Sequence, residues 1–262
     1  MRRGFFGGLA VALVLFALAV PAHADALANI KSRGKLLAGV KYDTPPFGFV
    51  DSANQLGGFD IDLVREIAKS IGVSVDFVKV TSPTRIPLLV AGNVDLVAAS
   101  MTNTPERAQV IDFSITYYTG AQRLVVPVGS PIHGPKDLDG KIVAVQQGTT
   151  LERNLAQVAP GAKALPFRDY NSAWLALREH RADALTGSAD ILRGFIKNAP
   201  GFTLVGERFS VEPFGMGVRK GETALRQVID DTLRRLWKSG RYQELYRKWF
   251  GVDPEIPIAS AG

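Results

Sequence analysis

Short apolar runs rich in β-branched residues alternate with helix-patterned segments along almost the whole chain, and that alternation restricts it to an α/β architecture with mainly parallel sheets. The runs fall at residues 36–40, 73–80, 94–99, 124–128, 141–145, 182–185, 202–205 and 215–218. Between them, Leu63, Ile67 and Ile71 recur every fourth residue after Gly58, the stripe of an amphipathic helix. Near the end Leu225, Val228, Ile229, Leu233 and Leu236 repeat that spacing until Lys238-Ser239-Gly240 stops it, and a last short helix would carry Tyr242, Leu245, Tyr246, Trp249 and Phe250. An apolar helix, a polar turn, an aspartate and a strand occur in that order at 86–99 and again at 174–186, with Asp95 and Asp183 in equivalent places. The recurrence points to two similar lobes rather than one sheet.

The N-terminus has the three parts of a secretory signal: the basic Met1-Arg2-Arg3, an uncharged apolar stretch over 4–20, and the small-x-small triplet Ala22-His23-Ala24. Cleavage is expected after Ala24. The apolar stretch lacks a basic flank on its far side, which disfavours a membrane anchor. The chain has no cysteine, so no thiol can be acylated, oxidised or used as a metal ligand. With a signal but no anchor, the mature protein is expected to be free in a periplasm, or secreted.

Charge narrows the function classes. The full chain carries +6, falling to +4 without Arg2 and Arg3. The basic residues are scattered, and the helical series Arg234, Arg235, Lys238 and Arg241 reads as a solvated face, so nucleic acid is not an expected partner. The three histidines, His23, His133 and His180, have no metal-ligand spacing. No nucleophile elbow, zinc-protease helix or phosphate-cradling glycine loop is present. Neither a cofactor, a metal nor a catalytic residue is expected.

Two segments are built to hold charge. Thr102-Asn103-Thr104-Pro105-Glu106-Arg107 follows the strand at 94–99, and Thr104 with Pro105 is a helix-start signal, N-cap then first helical residue. Hydroxyls and the Arg107 guanidinium therefore converge at a strand end, where they could clamp a carboxylate or where Arg107 could serve its own helix. Gln147-Gly148-Thr149-Thr150-Leu151-Glu152 runs from a strand into Thr149 and Glu152 at capping-box spacing. This is either a plain cap or, facing the first segment across a cleft, the other half of a site for a small zwitterion or anion.

Gly58-Phe59-Asp60-Ile61-Asp62-Leu63, continuing through Ile67-Ala68 and Ile71-Gly72, resembles the signature of the polar amino-acid solute-binding proteins of bacterial ABC importers, the family 3 solute-binding proteins. Asp112-Phe113-Ser114 with Tyr117-Tyr118, Leu138-Asp139-Gly140-Lys141, Gly148-Thr149-Thr150 and Lys248-Trp249-Phe250-Gly251 follow in that family's order. The resemblance implies a two-lobed type II periplasmic-binding-protein fold with a two-stranded hinge and a central ligand cleft. Lobe 1 would comprise 25–118 and 217–262, lobe 2 would comprise 119–216, and the chain would cross near 117–121 and 213–218. A small amino acid and a membrane permease are the implied partners, and a monomer is expected. Residues placed like Ser100, Thr102 and Arg107 grip the ligand α-carboxylate in that family, and residues placed like Thr150 help hold the α-ammonium.

Positions that vary within the family bear on specificity. In that family basic-amino-acid binders carry an acid where this chain has Lys41, and basic or glutamine binders place aromatics where it has Thr44 and Ser82. Segments 80–88 and 101–104 are similar to the glutamate/aspartate-binding branch, which sets basic residues at positions like Lys41 and Arg85 against a side-chain carboxylate. Each of these two cations could instead make only local contacts. Many relatives have an aspartate where this chain has Ser188, and it pairs with the α-ammonium. Here Thr150, Tyr170 and neutral acceptors could replace it, Asp190 could shift in, or the ligand could lack that group. The competing reading on this scaffold is a cyclohexadienyl dehydratase, for which Glu152 and Glu212 are the available acids, each with an ordinary cap or loop role. A ligand-sensing module for a membrane receptor would differ only in its partner.

Overall fold

A computed structural model describes residues 25–254; the expected signal, 1–24, lies outside the described residues. The chain opens with helix α1 (Ala26–Arg33), strand β1 (Lys35–Val40) and a small sheet of β2 (Asp43–Thr44), β3 (Gly48–Val50) and β4 (Leu56–Gly57). Helix α2 (Phe59–Ile71), β5 (Ser74–Lys79), α3 (Arg85–Val90), β6 (Leu96–Ala98), α4 (Pro105–Val110) and β7 (Ile111–Phe113) follow. Strand β8 (Tyr118–Gly120) then leads into β9 (Gln122–Pro127), β10 (Ile142–Gln146), α5 (Leu151–Val158), β11 (Lys163–Phe167), α6 (Tyr170–Arg178), β12 (Ala184–Ser188), α7 (Ala189–Ile196) and β13 (Phe202–Val205). The return is β14 (Glu212–Phe214), then β15 (Gly217–Arg219), α8 (Thr223–Lys238) and α9 (Arg241–Phe250).

These elements build two lobes, each around a five-stranded sheet, with orders β5-β1-β6-β15-β7 and β11-β10-β12-β9-β13. Four strands of each sheet run the same way, and the strand arriving from the other lobe is the antiparallel one: β15 between β6 and β7, and β9 between β12 and β13. The sheets are thus less parallel than the alternation alone predicts, because a chain crossing between lobes enters from the opposite end. The antiparallel pair β8 and β14 forms the two-stranded hinge.

The internal repeat is visible in hydrogen bonds. Asp95 accepts the Leu37 amide at 2.8 Å, and Asp183 accepts the Ile142 amide at 2.8 Å. In both cases the aspartate's own amide donates back to the same residue's carbonyl. Each aspartate therefore pins the start of the neighbouring parallel strand.

Amphipathic spacing fixes the layers. Leu63 and Ile67 of α2 and Leu225, Ile229, Leu233 and Leu236 of α8 are buried against β1 and each other. Each such side chain contributes roughly 1.5–3 kcal/mol. Gly240, at φ 82°, ends α8, and α9 folds back so that Phe59 packs edge-on to Tyr242, Tyr246 and Phe250. Asp62 accepts from Lys248 Nζ at 2.6 Å and from Trp249 Nε1 at 2.8 Å, clamping α9 to α2. The signature helix is thereby held at the hinge. The series Arg234, Arg235, Lys238 and Arg241 is exposed, as its spacing predicts.

Candidate functional site

The carboxyl ends of strands from both sheets meet across a cleft, the usual place for a ligand in open α/β sheets. Lys41 follows β1, Ser100 follows β6, Gln146 and Ser188 end β10 and β12, and Glu212 opens β14. Eight of the nine residues named from the sequence line one cavity there: Lys41, Ser82, Arg85, Ser100, Thr102, Thr150, Tyr170 and Ser188. Arg107 does not line it. Its Nη1 donates to Thr102 O at 2.8 Å and its Nη2 to Gly148 O at 3.1 Å, so it closes the edge of the cleft rather than its interior.

The lobes are closed on one another. Ser82 Oγ donates to Gln146 Oε1 at 3.1 Å, the Tyr170 amide donates to Asp43 Oδ2 at 2.8 Å, and Arg153 meets Glu106 at 3.1 Å. Gly148, at φ 74°, comes so near Pro83 that a Cβ would lie 2.8 Å from its nitrogen. A side chain there would be strained and would hold the lobes apart. Only about 30 Å³ of free space remains, room for about one water.

Helix starts shape both walls. Thr104 caps α4 and accepts the Arg107 amide at 3.3 Å, as Thr104-Pro105 predicts. The capping box at Thr149 and Glu152 does not form. Helix α5 begins one residue later with Thr150 at the N-cap, and Thr149 Oγ1 instead donates to Gln146 O at 2.6 Å. That shift frees the Thr150 hydroxyl to turn into the cleft.

Two residues outside those nine complete the site. Glu212 is 4% exposed and accepts from Thr102 Oγ1 at 2.7 Å, Thr150 Oγ1 at 2.7 Å and Asn154 Nδ2 at 2.6 Å. Its expected loop role is thus corrected: the return strand of the hinge carries it into the cleft. Asp190 stays out, accepting from Tyr118 OH and, at 2.7 Å, from Arg193. Gln146 is the second addition. Its Nε2, with Arg85 Nε and Ser188 Oγ, is buried without a hydrogen-bond partner among the described residues. Buried polar atoms seldom stay unpaired. Three in one cavity are what a site built for a polar guest presents.

Electrostatics sharpen this. Burial pulls the Lys41 ammonium down to about 8, against the opposing pull of Asp43 3.4 Å away. Burial, with Arg107 nearby, lowers the Arg85 guanidinium to about 9. Burial also raises Asp60 to about 6 although Tyr117 and Ser100 hydrogen-bond to it. Cations and a carboxylate are held in a desolvated cleft where an added opposite charge has a strong effect. Among the described residues no cluster of His, Asp or Glu could hold a metal ion, and no helix is long and apolar enough to cross a membrane.

Comparison with known proteins agrees with this geometry. The family model of bacterial extracellular solute-binding proteins, family 3, matches residues 36–252. The ABC transporter glutamine-binding protein GlnH of Bacillus subtilis is 40% identical over 236 residues, 88% of this chain and 86% of the relative. The L-glutamate/L-aspartate-binding protein of Pseudomonas aeruginosa is 30% identical over 261 residues, covering 92% and 86%. The solved structure of an ancestral arginine-binding protein bound to glutamine matches with a TM-score of 0.81 at 41% identity, over 84% of this chain and 99% of that one. The similarity thus extends beyond the glutamate/aspartate branch to proteins described by other polar amino acids. With the family model spanning both lobes and the hinge, the chain belongs to the bacterial extracellular solute-binding proteins, family 3.

Proposed function

We propose that this protein captures an acidic amino acid, glutamate or aspartate, between its lobes and delivers it to the permease of an ABC importer. One observation carries the reading: the charged side chains lining the cavity, among the described residues, are Lys41, Arg85 and Glu212. Two cations and one carboxylate complement a molecule with two carboxylates and one ammonium. Glu212, with the hydroxyls of Thr102 and Thr150, takes the α-ammonium in place of the aspartate that Ser188 replaces. Ser100 and Thr102 hold the α-carboxylate, and Arg107, bonded to Thr102 O and Gly148 O at the cleft edge, backs them. Lys41, Arg85 Nε and Gln146 Nε2 supply donors for the side-chain carboxylate, while Tyr170 walls the pocket, its ring 5.8 Å from Lys41 Nζ. Lobes of 25–118 with 217–262 and of 119–216 close on the ligand, and the closed form is what the permease meets. The mature protein, cleaved after Ala24, works as a monomer in the periplasm.

Glutamine is the second reading. Asp43 already offsets the Lys41 charge, and a relative at 40% identity is described as glutamine-binding. Calorimetry with the protein stripped of co-purified ligand tests both. Glutamate or aspartate binding at least tenfold tighter than glutamine supports the acidic reading, and the reverse order replaces it with the second. Mass spectrometry of the stripped ligand gives an independent answer.

A further inference from the structure

Ser100, beside the cavity, has φ 46°, a left-handed backbone that a non-glycine residue adopts at a cost of roughly 1–2 kcal/mol. The peptide that precedes it is held at both ends. Its carbonyl, Ala99 O, accepts from Arg85 Nη1 at 2.8 Å, and its amide, Ser100 N, donates to Asp60 Oδ2 at 3.0 Å. Asp60 is fully buried at the start of α2, and its other oxygen accepts from Tyr117 OH at 2.8 Å. Tyr117 in turn sits on the hinge: its amide donates to Phe214 O in β14 at 3.0 Å, and its carbonyl accepts from Tyr242 OH at 2.5 Å. One carboxylate thus joins a strained peptide at the cleft to both hinge strands.

We propose that Asp60 is a positioning residue, fixing the Ala99–Ser100 peptide against the hinge through Tyr117, and that an anionic group bound at Ser100 draws a proton onto it. The inference rests on amino-acid binding at Ser100 but not on an acidic side chain, because every amino acid brings an α-carboxylate. The groups facing Asp60 are Tyr117 and Ser100, which donate to it, the Arg85 guanidinium of α3, and Tyr242 of α9. Arg85 is the one cation among them. A ligand α-carboxylate arriving beside Ser100 adds negative charge near Asp60, and that favours the neutral acid. Burial already holds Asp60 near pH 6, so the proton is taken up around that pH. The neutral acid still accepts the Ser100 amide on one oxygen and can donate from the other to the Tyr117 oxygen. Asparagine reproduces that pattern without the charge.

The test is calorimetry of L-glutamate, with L-glutamine in parallel, in two buffers of different ionisation enthalpy from pH 5.5 to 8. The wild-type protein is expected to take up a fraction of a proton near pH 6. Asp60→Asn should bind within about threefold of wild type with no uptake near pH 6. Any uptake centred near pH 8 reports Lys41 and should survive in this variant. Asp60→Ala, checked by circular dichroism, should bind about tenfold more weakly or worse. No uptake near pH 6 in the wild type, the same uptake in Asp60→Asn, or wild-type affinity in folded Asp60→Ala would each overturn the inference alone. Failure of the wild type to bind any amino acid would overturn the functional reading and the inference with it.

Discussion

Glu212→Gln separates a ligand contact from a structural one. The Glu212 carboxylate is buried and accepts three hydrogen bonds, from Thr102, Thr150 and Asn154. Glutamine keeps the shape. Its carbonyl can still accept from Asn154, and its NH₂ can donate to the hydroxyl oxygens of Thr102 and Thr150, which rotate to accept. Weaker hydrogen bonds are offset by relief from burying a charge, so stability should move by no more than about 1 kcal/mol. The ligand ammonium, by contrast, loses its anionic partner. A hydrogen bond to a charged group contributes about 1.5–3 kcal/mol, so the Kd for glutamate should rise about 10- to 150-fold. Glutarate, the same dicarboxylate without an amino group, supplies the control. Calorimetry should show a wild-type preference for glutamate over glutarate that the variant largely loses, with a melting temperature close to wild type. Equal losses for the two ligands, or none for either, would refute the assignment of Glu212 to the ammonium.

Other expectations follow from the same geometry. Arg107→Ala should weaken every amino acid alike, by about tenfold, since its guanidinium ties Thr102 O to Gly148 O across the closed cleft whatever the ligand side chain, whereas Arg85→Ala should weaken glutamate more than glutamine in parallel calorimetry. The Lys41 ammonium, held at about 8 when folded against an ordinary 10.5, leaves the unfolded chain binding more protons between those values. Stability in urea should therefore rise from pH 8 towards 10, and Lys41→Met should remove that rise while lowering the preference for glutamate over glutamine. Gly194 of α7 abuts Pro45 of the other lobe, where a Cβ would lie 2.9 Å from Pro45 O. Gly194→Ala should oppose closure, raising Kd several-fold for all ligands with little change in melting temperature, as calorimetry and thermal unfolding would show.

Much of this fold is written in local pattern. The strands at 202–205 and 36–40 follow from their apolar runs and the stripes of α2 and α8 from periodicity, signals that lie within each element. Asp95 and Asp183 betray the repeat because both lobes solve the same problem, pinning a parallel strand at its start. The antiparallel insertion of β9 and β15 is not local: it follows from the chain crossing between lobes. The shift of the α5 cap from Thr149 to Thr150 turns instead on a local competition, the Thr149 hydroxyl donating three residues back to Gln146 O at the end of β10.

The cleft divides along the same line. Thr102, Thr104 and Arg107 were legible because a helix start after a strand places hydroxyls and a guanidinium within one turn. Gln146 carries no such mark. It ends β10 like any polar residue, and only the two buried lobes around it show that its NH₂ needs a partner. Glu212 is the most instructive case, since the sequence offers it only as an available acid for the competing enzyme reading. Next to Val211 and Pro213 it reads as a loop residue, and its partners Thr102, Thr150 and Asn154 are 110, 62 and 58 residues away. A cleft that loses the carboxylate on β12, where Ser188 stands, can regain one from any strand end that reaches the same space. The hinge return is such an end. Glu212 lies on β14, opposite Gly120 of β8, so the residue that would meet the ammonium is part of the strand pair that bends when the lobes close. On that proposal ligand charge and hinge geometry are joined at one side chain, which a sequence read for local motifs offers only as an acid beside the absence at Ser188.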